Sequence, residues 1–114
     1  MLPNPSELDA DKEDFVLLAL NNKNRINGYK VISTGTLTAS LIRPGDVYRA
    51  ALHLAAAAVV FVHNHPSGDP TPSQADIQMT QTIIDVARPL GIAVHDHIVV
   101  GKEGHASFKS LRLI

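Results

Sequence analysis

Cysteine and tryptophan are absent from this 114-residue chain. Without cysteine, no disulfide framework and no thiolate-ligated zinc finger can form. Aromatics are scarce as well: three Phe and two Tyr leave the core mainly to Val, Ile, Leu and Ala. No apolar run approaches the ~18 residues a membrane helix needs, and no basic segment leading into an apolar stretch opens the chain. Excess charge is also missing, with 10 Lys+Arg against 11 Asp+Glu. The cations are dispersed, and only Lys102, Lys109 and Arg112 are loosely grouped. Phosphate-backbone binding draws on a basic patch or stripe, and none is legible here. The expectation is a soluble, cytoplasmic protein without membrane insertion or strong nucleic-acid binding.

What is present fits one compact domain. The length is a common domain size, and 45% hydrophobic residues suffice for a core without staples. Residues 1–12 are polar and read as a mobile arm; 13–114 form the domain. Phe15 to Leu20 suits a buried strand, Asn21 to Arg25 a turn, and Ile26 to Thr34 the return strand. Pro44 to Ala57 reads as a helix, with Val47, Ala50/Ala51, Leu54 and Ala58 at helical spacing. Ala58 to His65 is an unbroken apolar strand, stopped by Pro66, of the kind covered on both faces. A second helix follows, with Ile77, Thr80, Ile84 and Ala87 on one face and Ile83 beside them, ending near Pro89 and Gly91. Ile92 to Val100 is a further strand, and Gly101-Lys102-Glu103-Gly104 a hairpin turn into His105 to Leu111. The order ββαβαβ, with one further terminal strand, predicts an α/β fold: a mixed sheet with helices packed on it.

The chemistry concentrates in His63-x-His65, Ser73 and Asp76. Two histidines two apart on a strand face the same way. Ser73-x-x-Asp76 after Pro72 has the form of a capping box at a helix start. Joined at this spacing, the strand brings both imidazoles to one sheet edge and the helix start returns a carboxylate to them. A helix N-terminus also favours that negative charge. Three nitrogen or oxygen ligands with one position left for water is the pattern of a catalytic zinc site. His63, His65 and Asp76 are therefore the candidate ligands of a zinc hydrolase.

The run His63-Asn64-His65-Pro66-Ser67-Gly68-Asp69-Pro70-Thr71-Pro72-Ser73-Gln74-Ala75-Asp76 resembles the signature of RadC-type proteins, a bacterial branch of the JAB/MPN (JAMM) metalloprotease superfamily. Gly35-Thr36-Leu37, Asp96-His97 and Ser107-Phe108 extend the resemblance over about residues 13 to 110. It implies an MPN-like, cytidine-deaminase-like α/β fold, a Zn2+ held by His63, His65 and Asp76, and metal-dependent hydrolysis of peptide or isopeptide bonds in a peptide or protein substrate. It also implies a glutamate general base just before the first strand, which Glu13 matches; its neighbour Asp14 is the rival if the register slips by one. Glu7 lies in the arm and Glu103 in a distal turn. To the serine of the motif, Ser73, the resemblance gives the donation of a hydrogen bond to a developing oxyanion. Asn64, Pro66, Ser67 and Gly68 shape the loop.

Two departures from the family pattern stand out. The usual N-terminal helical domain has no room ahead of residue 13, so the chain reads as a stand-alone catalytic domain or a fragment. An Arg-Glu pair of the family is replaced by Gly45-Asp46. His95-Asp96-His97 is a second His-x-His with no third partner at suitable spacing. It reads as a buried pair or as support behind a ligand, with Asp96 a candidate to orient an imidazole. His53 and His105 read as surface or boundary residues. Competing functional readings are a non-catalytic MPN-like binding module, a DNA-repair-associated accessory protein, and a nuclease suggested by the literal His63-Asn64-His65. The last fails because the HNH signature spreads those residues over a ββα-metal unit. A homodimer is compatible with the sequence, which does not fix the oligomeric state.

Overall fold

Phe15–Leu20 (β1) is apolar at every position because it lies inside the sheet, paired antiparallel on both sides. The computed structural model describes residues 13–33 and 42–114. The arm expected over 1–12, Thr34 and Gly35-Thr36-Leu37 fall outside the described residues. Asn21 shapes the turn after β1, its side-chain oxygen accepting the amides of Lys23 and Arg25 at 2.8 and 3.0 Å. Asn24 there takes a left-handed φ of 58°, which asparagine tolerates. The chain returns as β2 (Ile26–Ser33), an edge strand.

Helix α1 (Pro44–His53) starts with proline in its first turn, where no amide proton is needed. It ends four residues earlier than the expected Ala57. Alanine favours helix, but the Ala57 amide donates to Leu20 O at 2.8 Å and its carbonyl accepts from Ala93 N at 3.2 Å. Sheet bonds thus claim the end of the alanine run, and Ala55, at φ 52°, makes the break.

Strand β3 (Ala58–Asn64) is central, antiparallel to β1 and parallel to β4 (Ala93–Gly101), and β5 (Gly104–Ser107) completes the order β2-β1-β3-β4-β5. A parallel pair needs a crossover, and α2 (Gln74–Leu90) supplies it. Among the described residues, a mixed five-stranded sheet flanked by two helices forms the expected α/β architecture, terminal strand included. Strand β5 stops at Ser107 instead of Leu111: the Phe108 amide still donates to His97 O at 2.9 Å, but beyond it a turn closes from Leu111 N to Ser107 O at 3.0 Å.

Both helices share one core with a single face of the sheet. Phe15, Leu17, Ala19, Val59 and Phe61 meet Val47, Tyr48 and Ala51 of α1, and Met79, Ile83 and Ala87 of α2. The Tyr48 hydroxyl donates to Ile83 O at 2.6 Å and ties the helices together. On the other side of β3, Val60 and Val62 are half-buried, so full cover holds for one face only. The stripe of α2 is also turned from its expected line. Ile77 and Ile84 are half-buried, while Asp76, Met79, Thr80, Ile83 and Ala87 face inward. Thr80 and Ala87 face inward as expected, and the polar Asp76 takes the place expected for Ile77 at the start of the buried line.

Candidate metal centre

Where β1 begins, β3 ends. Phe15 pairs with His63, so the residues just ahead of β1 lie beside those closing β3. Asp14 N donates to the Asn64 side-chain oxygen at 2.6 Å, and Asn64 N returns a bond to Asp14 O at 3.4 Å. This exchange fixes the alternation. Asp14 is buried on the face away from Phe15, and Glu13 is left on the face of the histidines. Glu13 Oε1 stands 3.0 Å from His63 Nε2 and 3.9 Å from His65 Nε2. Asn64 is thus a tie between strands, and Asp46, on α1, pairs with Arg49 at 3.3 Å.

His65 lies one residue past β3, its amide held by Val100 O at 2.8 Å. Its Nδ1–H donates to the Asp69 carbonyl at 3.0 Å, which leaves Nε2 facing Asp76 Oδ2 at 3.0 Å. A backbone bond to the second ring nitrogen is the support that orients a ligating imidazole. The two rings meet edge to face, centroids 4.9 Å apart. His63 is almost wholly buried, and its Nδ1 has no hydrogen bond among the described residues, Asp76 Oδ1 lying 3.6 Å away. Glu13 and Asp76 therefore approach opposite nitrogens of one imidazole.

Asp76 is delivered by the capping box that the sequence predicts. Its amide donates to Ser73 Oγ at 3.0 Å and its Oδ2 accepts Ser73 N at 2.9 Å. Burial opposes ionisation of Asp76, but bonds from His65 and Ser73 outweigh it and hold the carboxyl well below the usual range. The Asp76 bond raises the pKa of His65 against its own desolvation. Burial lowers that of His63 despite the acids on either side.

The loop between ligand candidates is pinned at Gly68. Gly68 has φ 90°, its amide donates to His65 O at 3.0 Å, and its carbonyl accepts Glu103 N at 3.2 Å. A Cβ on Gly101 would lie 2.3 Å from that carbonyl oxygen, so the close approach requires glycine there. Asp69 Oδ1 accepts from Thr71 N at 3.0 Å and Thr71 Oγ1 at 2.7 Å, which closes the loop internally.

The second His-x-His splits. A register shift against β3 makes His95 the extra residue of a bulge; its ring bonds Asn24 Oδ1 at the surface. His97 is fully buried, and burial, reinforced by His63, pushes its pKa down to about 3. Asp96 does not orient a ring. It accepts the amides of His97 and Lys109 and the Ser107 hydroxyl, and so anchors the turn after β5. His53 and His105 are exposed. Two features escaped the sequence reading: Thr80, which looks like part of an apolar stripe, and the Gly68–Gly101 contact, which joins positions distant in the chain. The i, i+4 spacing of Thr80 from Asp76 was the available signal for the first.

Donor atoms of Glu13, His63 and His65 all lie within 4.8 Å of one another, a group able to hold a metal ion. The family model for the RadC-like JAB domain matches residues 4–113. The chain belongs to that family. Its mixed sheet and two helices accord with a JAB/MPN-like fold. In RadC-like terms, the histidine motif, the loop to Asp76 and the start of β1 form one cluster.

Proposed function

We propose that this RadC-like JAB domain is a zinc-dependent hydrolase of peptide or isopeptide bonds in a peptide or protein substrate. The observation that carries the reading is the convergence of two imidazoles and two carboxylates: His63 within 3.0 Å of Glu13, and His65 within 3.0 Å of Asp76. The donor set suits zinc, since imidazole and carboxylate are its common non-thiol ligands. His63 and His65 would hold the ion with Asp76, which lies 3.0 Å from His65 Nε2, as the third ligand, and Glu13, which forms the compact donor group with the two histidines, is assigned to the water instead. When bound, it supplies a water of pKa about 7 and polarisation of a carbonyl.

Each residue then has a task. Glu13 takes the proton of the attacking water and returns it to the leaving amine, a role its partial exposure and reach to both histidines support. Ser73 accepts the Asp76 amide and keeps its own hydroxyl proton to donate to the developing oxyanion. Asp76 stays ionised across the physiological range, and the Asp69 carbonyl keeps His65 in the tautomer that presents Nε2.

Two measurements test this reading together. Protein purified without added metal should contain about one zinc per chain by elemental analysis, and it should cleave members of a peptide and isopeptide-linked library. A site that stays empty on zinc titration overturns the metal reading. Stoichiometric zinc with no turnover favours the non-catalytic binding module.

A further inference from the structure

We infer that His97 is a positioning residue that sets the ring of His63, and that Thr80 fixes it in one tautomer. The inference rests on the metal-site reading above for its purpose, but its geometry stands without an ion. Thr80 Oγ1 lies 2.7 Å from Asp76 O and 2.7 Å from His97 Nδ1. A hydroxyl has one proton, and two such short contacts to lone-pair atoms would need two. A threonine in a helix donates to the carbonyl four residues back, so the second proton must come from His97. His97 therefore carries its proton on Nδ1 and donates it to Thr80 Oγ1. The other nitrogen, Nε2, is a buried lone pair with no hydrogen bond among the described residues. The opposite assignment would bury an unpaired N–H and set two oxygen and nitrogen lone pairs against each other.

That bonded bracket joins two elements of the site. Through Thr80, His97 holds the carbonyl of Asp76, and with it the first turn of α2. Its ring stacks on Phe108 at 4.3 Å and lies nearly parallel to His63, 5.7 Å away at 30°. Phe15 closes the remaining side, its ring edge-on to His97 at 5.6 Å and 5.9 Å from His63. His63 is thus backed by a ring that cannot rotate, because its own Nδ1–H is committed. An aliphatic residue at 97 would pack at less desolvation cost, but it could not tie α2 to β4 at this point. The polar bracket serves the relative placement of His63, from β3, and Asp76, from α2.

Nitrogen-15 ring spectra of the metal-free protein near neutral pH give the first readout. The Nδ1–H tautomer is expected for His97, together with proton cross-peaks between the rings of His63 and His97. Thr80→Val keeps the shape and removes the hydroxyl; it should populate the Nε2–H tautomer and weaken those cross-peaks. Zinc affinity, measured by chelator competition, should fall ~10–100-fold, the scale for losing an outer-shell partner. Thr80→Ser should restore tautomer and affinity, which packing alone would not. An Nε2–H tautomer in the parent overturns the inference even if Thr80→Val fails to fold. So does a folded Thr80→Val that binds zinc like the parent. Should the parent bind no zinc, the metal reading fails by itself. The tautomer and the cross-peaks then decide this inference: their loss in Thr80→Val upholds it, and their persistence overturns it.

Discussion

The Asp14 amide donates to the Asn64 side-chain oxygen at 2.6 Å, and this bond settles which of two adjacent acids meets the histidines. Strand alternation does the rest, turning Glu13 to the His63 face and Asp14 away. Glu13→Gln should therefore keep fold and zinc but lose ~10²–10⁴-fold in hydrolysis, the usual contribution of a positioned acid/base group. Asp14→Asn should leave the rate constant per folded molecule near the parent's. Turnover with any cleavable peptide checks both, and the reverse ranking would move the base to Asp14.

Asp76 and Asp69 sit in one motif with different attachments. Asp76 reaches both imidazoles, whereas the Asp69 carboxylate bonds Thr71 and only its carbonyl reaches His65. Asp76→Ala should lower zinc affinity sharply, and Asp69→Ala should not, by chelator competition. Protons compete for the same site. Because Asp76 raises the pKa of His65, affinity should already decline as pH falls toward the ordinary histidine value of about 6.5. Equal losses from the two alanines would assign the effect to the loop as a whole.

The elements that local chemistry specifies were legible in the sequence. The apolar run of β1, the Asn21 turn and the Ser73–Asp76 capping box each follow from neighbouring residues. The errors come from distant partners. Ala55–Ala57 reads as helix because alanine favours helix, but bonds to Leu20 and Ala93 draw it into the sheet. The α2 stripe reads partly off because Asp76 is polar and nevertheless buried, while Thr80 and Ala87 keep the face that the spacing gives them. Asp96 looks like an orienting acid until the turn at Lys109 takes its carboxylate. Spacing brought the ligand candidates together and offered the second His-x-His as support behind them; the fold shows that His97 alone, and not His95, lies against His63.

Ser73 holds two tasks that one set of variants can separate. Ser73→Ala removes the cap and should cost about 1 kcal/mol of stability. If the hydroxyl also donates to the oxyanion, kcat should fall ~10²–10³-fold beyond any loss of folded protein. Ser73→Thr keeps hydroxyl and cap and should recover most of both. Destabilisation of Ser73→Ala with an unchanged kcat would reduce Ser73 to its cap.

Gly101 and Gly68 touch backbone to backbone, so neither can yield as a flexible side chain would. Gly101→Ala forces a Cβ to 2.3 Å from the Gly68 oxygen. The hairpin turn must move off the loop, with a loss on the order of 1–3 kcal/mol in chemical denaturation, as for other overpacked contacts. Zinc affinity should fall as well, since the loop spans His65 to Asp76. Gly45→Ala is the control: its Cβ would meet nothing within 4 Å among the described residues, and in helix α1 alanine should stabilise slightly. Similar effects from both would remove the steric argument.

Nucleic-acid affinity is the last point of difference between the hydrolase and the repair-accessory readings. Neutralising a phosphate needs a cation, and affinity grows with the number of cations aligned along one surface. The chain has net charge −1. Two of its arginines, Arg49 and Arg88, already face Asp46 at 3.3 Å and Asp85 at 3.5 Å. Those exposed pairs contribute little stability, but each places a negative charge beside a cation that would otherwise meet phosphate. Fluorescence anisotropy with labelled duplex and single-stranded DNA at physiological salt should give Kd no tighter than ~10⁻⁴–10⁻⁶ M, with little sequence preference. Nanomolar binding with a steep salt dependence would mean that the cations do align on one surface, and it would return the chain to the repair reading.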